Sequence, residues 1–184
     1  MQVAWALSEN LKSGQIDSNQ LKNIAPIWGP YSTWNDYRTD NVICHDNKKA
    51  KELISRAFHA IFNLYLPKSS YIELGRPQGV KLYEGDFKDP LIDLKEDIVT
   101  LNLTSQNYEV VLMYGWDLSP VDENEDKIVQ HKAKTYRNNI ATIIKSNPNI
   151  QYVLVDYNGK LAKDFKDLEN LSQDTMSSVK ELLL

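Results

Sequence analysis

The longest apolar run without a helical period covers residues 107–120, NYEVVLMYGWDLSP. Written as a strand over residues 108–116, it sends Tyr108, Val110, Leu112, Tyr114 and Trp116 to one face and Val111 and Met113 to the other. A strand apolar on both faces is covered on both faces, so this one is expected at the centre of a sheet. It stops at Gly115-Trp116-Asp117, with a carboxylate at its C-terminal end.

Helical periods flank this strand. Ala50, Leu53, Ile54, Ala57, Phe58, Ile61, Leu64 and Tyr65 follow one helical stripe, with Asp46 or Asn47 as cap and Pro67 closing it. Val129, Ala133, Tyr136, Ile140, Ile143 and Ile144 predict a second long helix that ends at Asn147-Pro148. At the start of the chain Val3, Ala4, Leu7 and Leu11 have helical spacing, with Gly14 as a C-terminal cap. Asp17 or Ser18 then caps a second segment carrying Leu21 and Ile24, so residues 1–25 predict a helical hairpin packed on the domain. Near the other end Leu161, Phe165, Leu168 and Leu171 are spaced for a helix, while Asn158-Gly159 is a hairpin signal; both remain open. Asp174 or Thr175 begins a last helix with Met176, Val179, Leu182 and Leu183 inward.

The remaining patterns are shorter. Residues 26–40, PIWGPYSTWNDYRTD, place Trp28, Tyr31, Trp34 and Tyr37 three apart among prolines and a glycine, as an aromatic loop. Residues 41–45 read as a short strand, residues 71–74 as another, and Val80 to Tyr83 as a return strand after the Gly75-Arg76-Pro77-Gln78-Gly79 turn. Gly85, Asp86, Asp89 and Pro90 mark a loop, and residues 91–94 are too short to assign. Val99, Leu101 and Leu103 alternate with Thr100 and Asn102, which predicts a strand over residues 98–103. Only residues 104–107 separate it from the central strand, so an antiparallel hairpin is expected. Residues 151–156 form a buried strand, joined to residues 108–116 by a right-handed crossover and parallel to them. The sum is an α/β fold, with α+β as the alternative. It is a single three-layer domain over residues 1–184, with a mixed, partly antiparallel sheet and an N-terminal helical hairpin. A purely parallel sheet is not expected.

Composition narrows the function classes. Apolar content of 42% with 25% charged residues is that of an ordered globular chain. A net charge of −4 opposes nucleic-acid binding, which needs a basic face. Lys12 and Lys22 are balanced by Glu9 and Asp17, which opposes a DNA-reading helix pair in residues 1–25. The lone cysteine, Cys44, excludes an intrachain disulfide and a multi-cysteine zinc cage, and fits the reducing cytoplasm. No run approaches the ~18 apolar residues of a membrane span, and the first residues lack a secretory signal's basic start. Lysine far outnumbers arginine, a bias of AT-rich genomes, many phages among them.

Three constellations carry candidate chemistry. Asp46, Asp117 and Asp156 each follow a predicted strand, where ligands of open α/β sheets bind. Converging, they would hold Mg²⁺ through oxygen and polarise a phosphoryl group, with His45 as general base. The acidic run Asp122, Glu123, Glu125 and Asp126 fails as a calcium loop, because Lys127 and Ala133 stand where Gly and Glu are required. Arg76, between two glycines, presents a guanidinium to phosphate or carboxylate, and Trp28 and Trp34 offer rings for stacking on a base or sugar. Each feature also has a sufficient structural reason: Asp caps the helix that follows a strand, and aromatics cover a core edge. The leading expectation is therefore a non-enzymatic accessory protein with a protein partner. The alternatives are a Mg²⁺-dependent phosphoesterase or nuclease using Asp46, Asp117, Asp156 and His45, and a nucleotide or small-molecule binder using Arg76, Trp28 and Trp34.

Overall fold

The structure is a computed structural model and describes residues 1–12, 14–84 and 95–184. Its strands are β1 (Val3–Leu7), β2 (Ile27–Pro30), β3 (Asn41–Ile43), β4 (Asn63–Pro67), β5 (Lys81–Tyr83), β6 (Val110–Tyr114), β7 (Gln151–Val155) and β8 (Leu171–Asp174). They form one 8-stranded sheet in the order β5-β4-β3-β2-β1-β6-β7-β8. Every pairing is parallel. The expected mixed sheet is thus overturned.

Parallel neighbours need crossovers, and the helices supply them: α1 (Ser18–Lys22), α2 (Trp34–Tyr37), α3 (Asn47–Ser55), α4 (Lys68–Glu73), α5 (Glu96–Asn107), α6 (Lys127–Ser146) and α7 (Lys163–Lys166), with α8 (Met176–Leu183) after the last strand. Register sorts them by face. Trp5 aligns with Ile27 and Leu112, and this face packs Leu21 of α1, Tyr37 of α2, and Met176 and Val179 of α8. Gly29, Val42 and Leu64 lie on the same face, where Ala50 and Leu53 of α3 pack. On the opposite face Ala6, Val111, Met113, Tyr152 and Leu154 meet Ile98 and Leu101 of α5, Ile140 and Ile144 of α6, and Phe165 of α7. The chain winds outward from β1 to β5 over one face. It returns through α5 and winds to β8 over the other, the right-handed course expected for both halves.

The central strand and its crossover are as the pattern predicts: β6 lies between β1 and β7, and Val111, Leu112 and Met113 are fully buried. Four other expectations are corrected. Residues 1–25 are no helical hairpin, because Val3–Leu7 is the strand beside β6. Ala4 through Leu7 are buried on both sides, so they show no alternation to separate them from a helix. Residues 98–103 are no strand but the middle of α5, and the antiparallel hairpin goes with them. That helix is buried nearly all round, and Thr100, Thr104 and Ser105 return their hydroxyls to the carbonyls of Glu96, Thr100 and Leu101. The long helix ends at Ser55, because Ala57 takes a left-handed φ of 56°, and Leu64 and Tyr65 belong to β4. Residues 71–74 fall in and just after α4 instead of a strand. The loop at Gly85, Asp86, Asp89 and Pro90 and the unassigned residues 91–94 lie outside the described residues.

Among the described residues, no helix is long and apolar enough to cross a membrane.

Candidate functional site

In an open parallel sheet, ligands bind beyond the carboxyl ends of the strands, at the point where the winding reverses. Here that point lies between β1 and β6, and it is filled. Trp116 donates its indole N–H to the Ala6 carbonyl at 2.8 Å, and Leu11 rests against Gly115. Gly115 has φ +80°, and a Cβ there would stand 2.3 Å from Leu11 Cγ. The open space sits one step aside, over the ends of β1, β2 and β3. It is a crevice of about 510 Å³ lined by Glu9, Tyr31, Ser32, His45, Lys49, Lys95 and Glu96.

The start of α5 organises this crevice. Glu96 accepts the backbone N–H of His45 at 2.8 Å on one carboxylate oxygen and that of Tyr31 at 2.9 Å on the other. One side chain thereby ties the loops after β2 and β3. Burial raises its pKa, and the two N–H donors oppose the rise. Asp97, 1% exposed, accepts on Oδ2 from the Ser8 hydroxyl at 3.1 Å, the Glu9 N–H at 3.2 Å and the Tyr136 hydroxyl at 2.7 Å. Tyr136 in turn stacks on Trp116, with ring centroids 6.4 Å apart, and carries the Lys95 ammonium 4.9 Å from its own centroid.

Glu9 is a second perturbed carboxyl of the site. Burial pushes its pKa up from 4.5 to about 7, and the nearby Asp97 carboxylate adds to the rise. Lys95 pulls the other way. Near neutrality Glu9 is therefore half protonated, able to donate or accept a proton. Lys49, in the first turn of α3, holds its ammonium 4.9 Å from the Tyr31 ring centroid. When Glu9 is protonated, Lys49 and Lys95 face the single carboxylate of Glu96, whose oxygens are both occupied by backbone N–H groups. With Glu9 neutral, the two lysines offset Glu96 and the Asp97 carboxylate behind Glu9, so the crevice no longer repels an anion.

The residues singled out by sequence are placed differently. Asp46 caps α3, accepting from the N–H groups of Lys48 and Lys49, which hold its carboxyl below the usual range. Asp117 accepts from Ser119 and pairs with Arg137 of α6 at 3.4 Å. Asp156 accepts from the N–H of Met176 at the start of α8, on the other side of the sheet. Asp46 follows β3, three strand positions from β6, or about 14 Å at the usual spacing. The three carboxylates do not come together, and among the described residues no three His, Cys, Asp or Glu side chains are grouped to hold a metal ion. His45 does reach the crevice, its ring hydrogen-bonded to the Tyr83 hydroxyl. Arg76 is exposed with a left-handed φ of 56°. Trp34 packs on Phe58 and Phe62, and Trp28 is buried within β2, so the two rings do not share a lid.

Glu9, Lys49, Lys95, Glu96 and Asp97 escaped the sequence reading. Reading residues 3–7 as a strand would have placed Ser8 and Glu9 at its carboxyl end, and Glu96-Asp97 has the acidic form of a helix start. No protein-family model, curated protein or solved structure matches the chain.

Proposed function

We propose that the protein binds a small anionic molecule of the nucleotide class in the crevice over β1, β2 and β3. Lys49 and Lys95 hold the anionic group, and Glu9 exchanges a proton with the ligand. The observation that supports this most is the position of Glu9: half-buried beside Asp97, with two lysines facing the same space at the carboxyl edge of a doubly wound sheet. A volume of about 510 Å³ lies within the usual range for small-molecule sites.

The test is a thermal-shift panel of nucleoside monophosphates and diphosphates against the matching nucleosides. A ligand at a hundred times its Kd stabilises by about 2.7 kcal/mol, which raises Tm by roughly 5–10 °C for a chain of this size. Lys49→Ala and Lys95→Ala should each reduce the shift. A panel in which no phosphorylated compound moves Tm rejects the proposal.

A further inference from the structure

The opposite end of the sheet carries a second hollow, of about 780 Å³, at the N-terminal ends of β1 to β4. Its floor is Trp28, 4% exposed, with the half-buried rings of Tyr65 and Tyr108 beside it. The Trp28 and Tyr65 centroids lie 5.1 Å apart with planes at 40°. Those of Trp28 and Tyr108 lie 6.1 Å apart at 78°, and the Trp28 indole N–H donates to the Tyr108 hydroxyl at 3.2 Å. The rings therefore form a fixed, concave corner. Around it stand Gln2, Asn41, Asn63 and Asn107, the last donating its amide N–H to the Leu103 carbonyl at 2.7 Å. Asn63 donates to Asn41 at 2.9 Å, which aligns the two amides and leaves the Asn63 carbonyl oxygen and the Asn41 nitrogen to other partners.

We infer that this hollow is a binding site for a neutral saccharide, with Tyr65 and Tyr108 against the C–H face of a pyranose ring and the asparagine amides on its hydroxyls. Charge disfavours a cationic ligand. Asp40 is neutralised by Lys22 at 3.0 Å and by the Ile27 N–H, and the Lys81 ammonium lies 5.4 Å from the Tyr65 ring centroid. The half-buried rings of Tyr65 and Tyr108 offer apolar area to the C–H face of a sugar ring. An amide offers donor and acceptor side by side, as vicinal hydroxyls require. The site is independent of the crevice, which lies at the other ends of the strands.

Nuclear magnetic resonance of the labelled full chain, titrated with neutral monosaccharides and disaccharides, tests it. The Trp28 indole and the side-chain amides of Asn63 and Asn107 should shift with a saturable dependence on sugar. Asn63→Ala with Asn107→Ala should weaken binding about tenfold or more, while Lys49→Ala should leave it unchanged. Both asparagines are exposed but donate to Asn41 and to the Leu103 carbonyl, so unchanged amide signals elsewhere in the spectrum check that the variant keeps its fold. The inference is overturned if no saccharide moves these signals. It is equally overturned if the double variant binds as well as the parent, or if nucleosides move the signals and saccharides do not.

Discussion

The backbone N–H of Glu9 donates to Oδ2 of Asp97 at 3.2 Å, which anchors a half-buried carboxyl beside a fully buried one. Between pH 4.5 and about 7 the folded chain keeps a proton on Glu9 that the unfolded chain has released. Stability from this group therefore falls as pH rises through that window. Glu9→Gln has no proton to lose. Its Tm relative to the parent should rise from about pH 5 to about pH 8, measured by calorimetry in matched buffers. A difference independent of pH would refute the assignment.

Glu96 joins the ends of β2 and β3 through two N–H donors. Hydrogen bonds to a charged acceptor contribute roughly 1.5–3 kcal/mol each, and water in the open crevice recovers part of that. Glu96→Ala should cost about 2 kcal/mol, or roughly 4–8 °C in Tm. Glu96→Gln, with one acceptor oxygen, should fall between. Hydrogen exchange at the amides of Tyr31 and His45 should accelerate in both variants.

Gly115 is required twice over, by its φ of +80° and by Leu11 at 2.3 Å from a built Cβ. Gly115→Ala should destabilise by about 1–3 kcal/mol. Leu11→Ala removes the collision and leaves the backbone strain. In a double-mutant cycle by urea unfolding, adding Leu11→Ala to the Gly115→Ala variant should recover about 1 kcal/mol. Strict additivity would show that Leu11 does not press on this turn.

Cys44 is fully buried and its thiol is pushed up to about 12, by burial first and then by the Glu96 carboxylate. Thiolate is the reactive form. Ellman's reagent at about pH 8 should label the native chain only through opening, and the urea-unfolded chain at once. Rapid native labelling would contradict the packing around β3.

The legible parts of the fold are those where pattern and environment agree. The strand at residues 110–114, the second half of the helix carrying Ile140 and Ile144, and the strand at residues 151–155 were recoverable because each buries one face or both, whereas Val129 in the first turn of that helix is exposed. The parallel sheet was hidden by two segments whose burial erases periodicity: Val3–Leu7, apolar without alternation, and Glu96–Asn107, whose Ile98-Val99-Thr100-Leu101 imitates a strand. β8 was invisible for another reason. Leu171–Asp174 is an edge strand with a single apolar residue. His45 was the one expected site residue that reaches the crevice, because its position after a true strand survived the errors elsewhere. Glu9 and Glu96 did not, because their elements were assigned the wrong type.

The pairing of β1 with β6 sets an order on synthesis. Trp5 and Ala6 can align with Ile27 and Trp28 soon after both leave the ribosome. The other edge of β1 waits for Val110 to Tyr114, more than a hundred residues later. Until then its unpaired N–H and C=O groups are open to any passing strand. Nascent chains truncated before residue 110 should therefore aggregate, and the completed chain should fold at a rate governed by closing this one long-range seam.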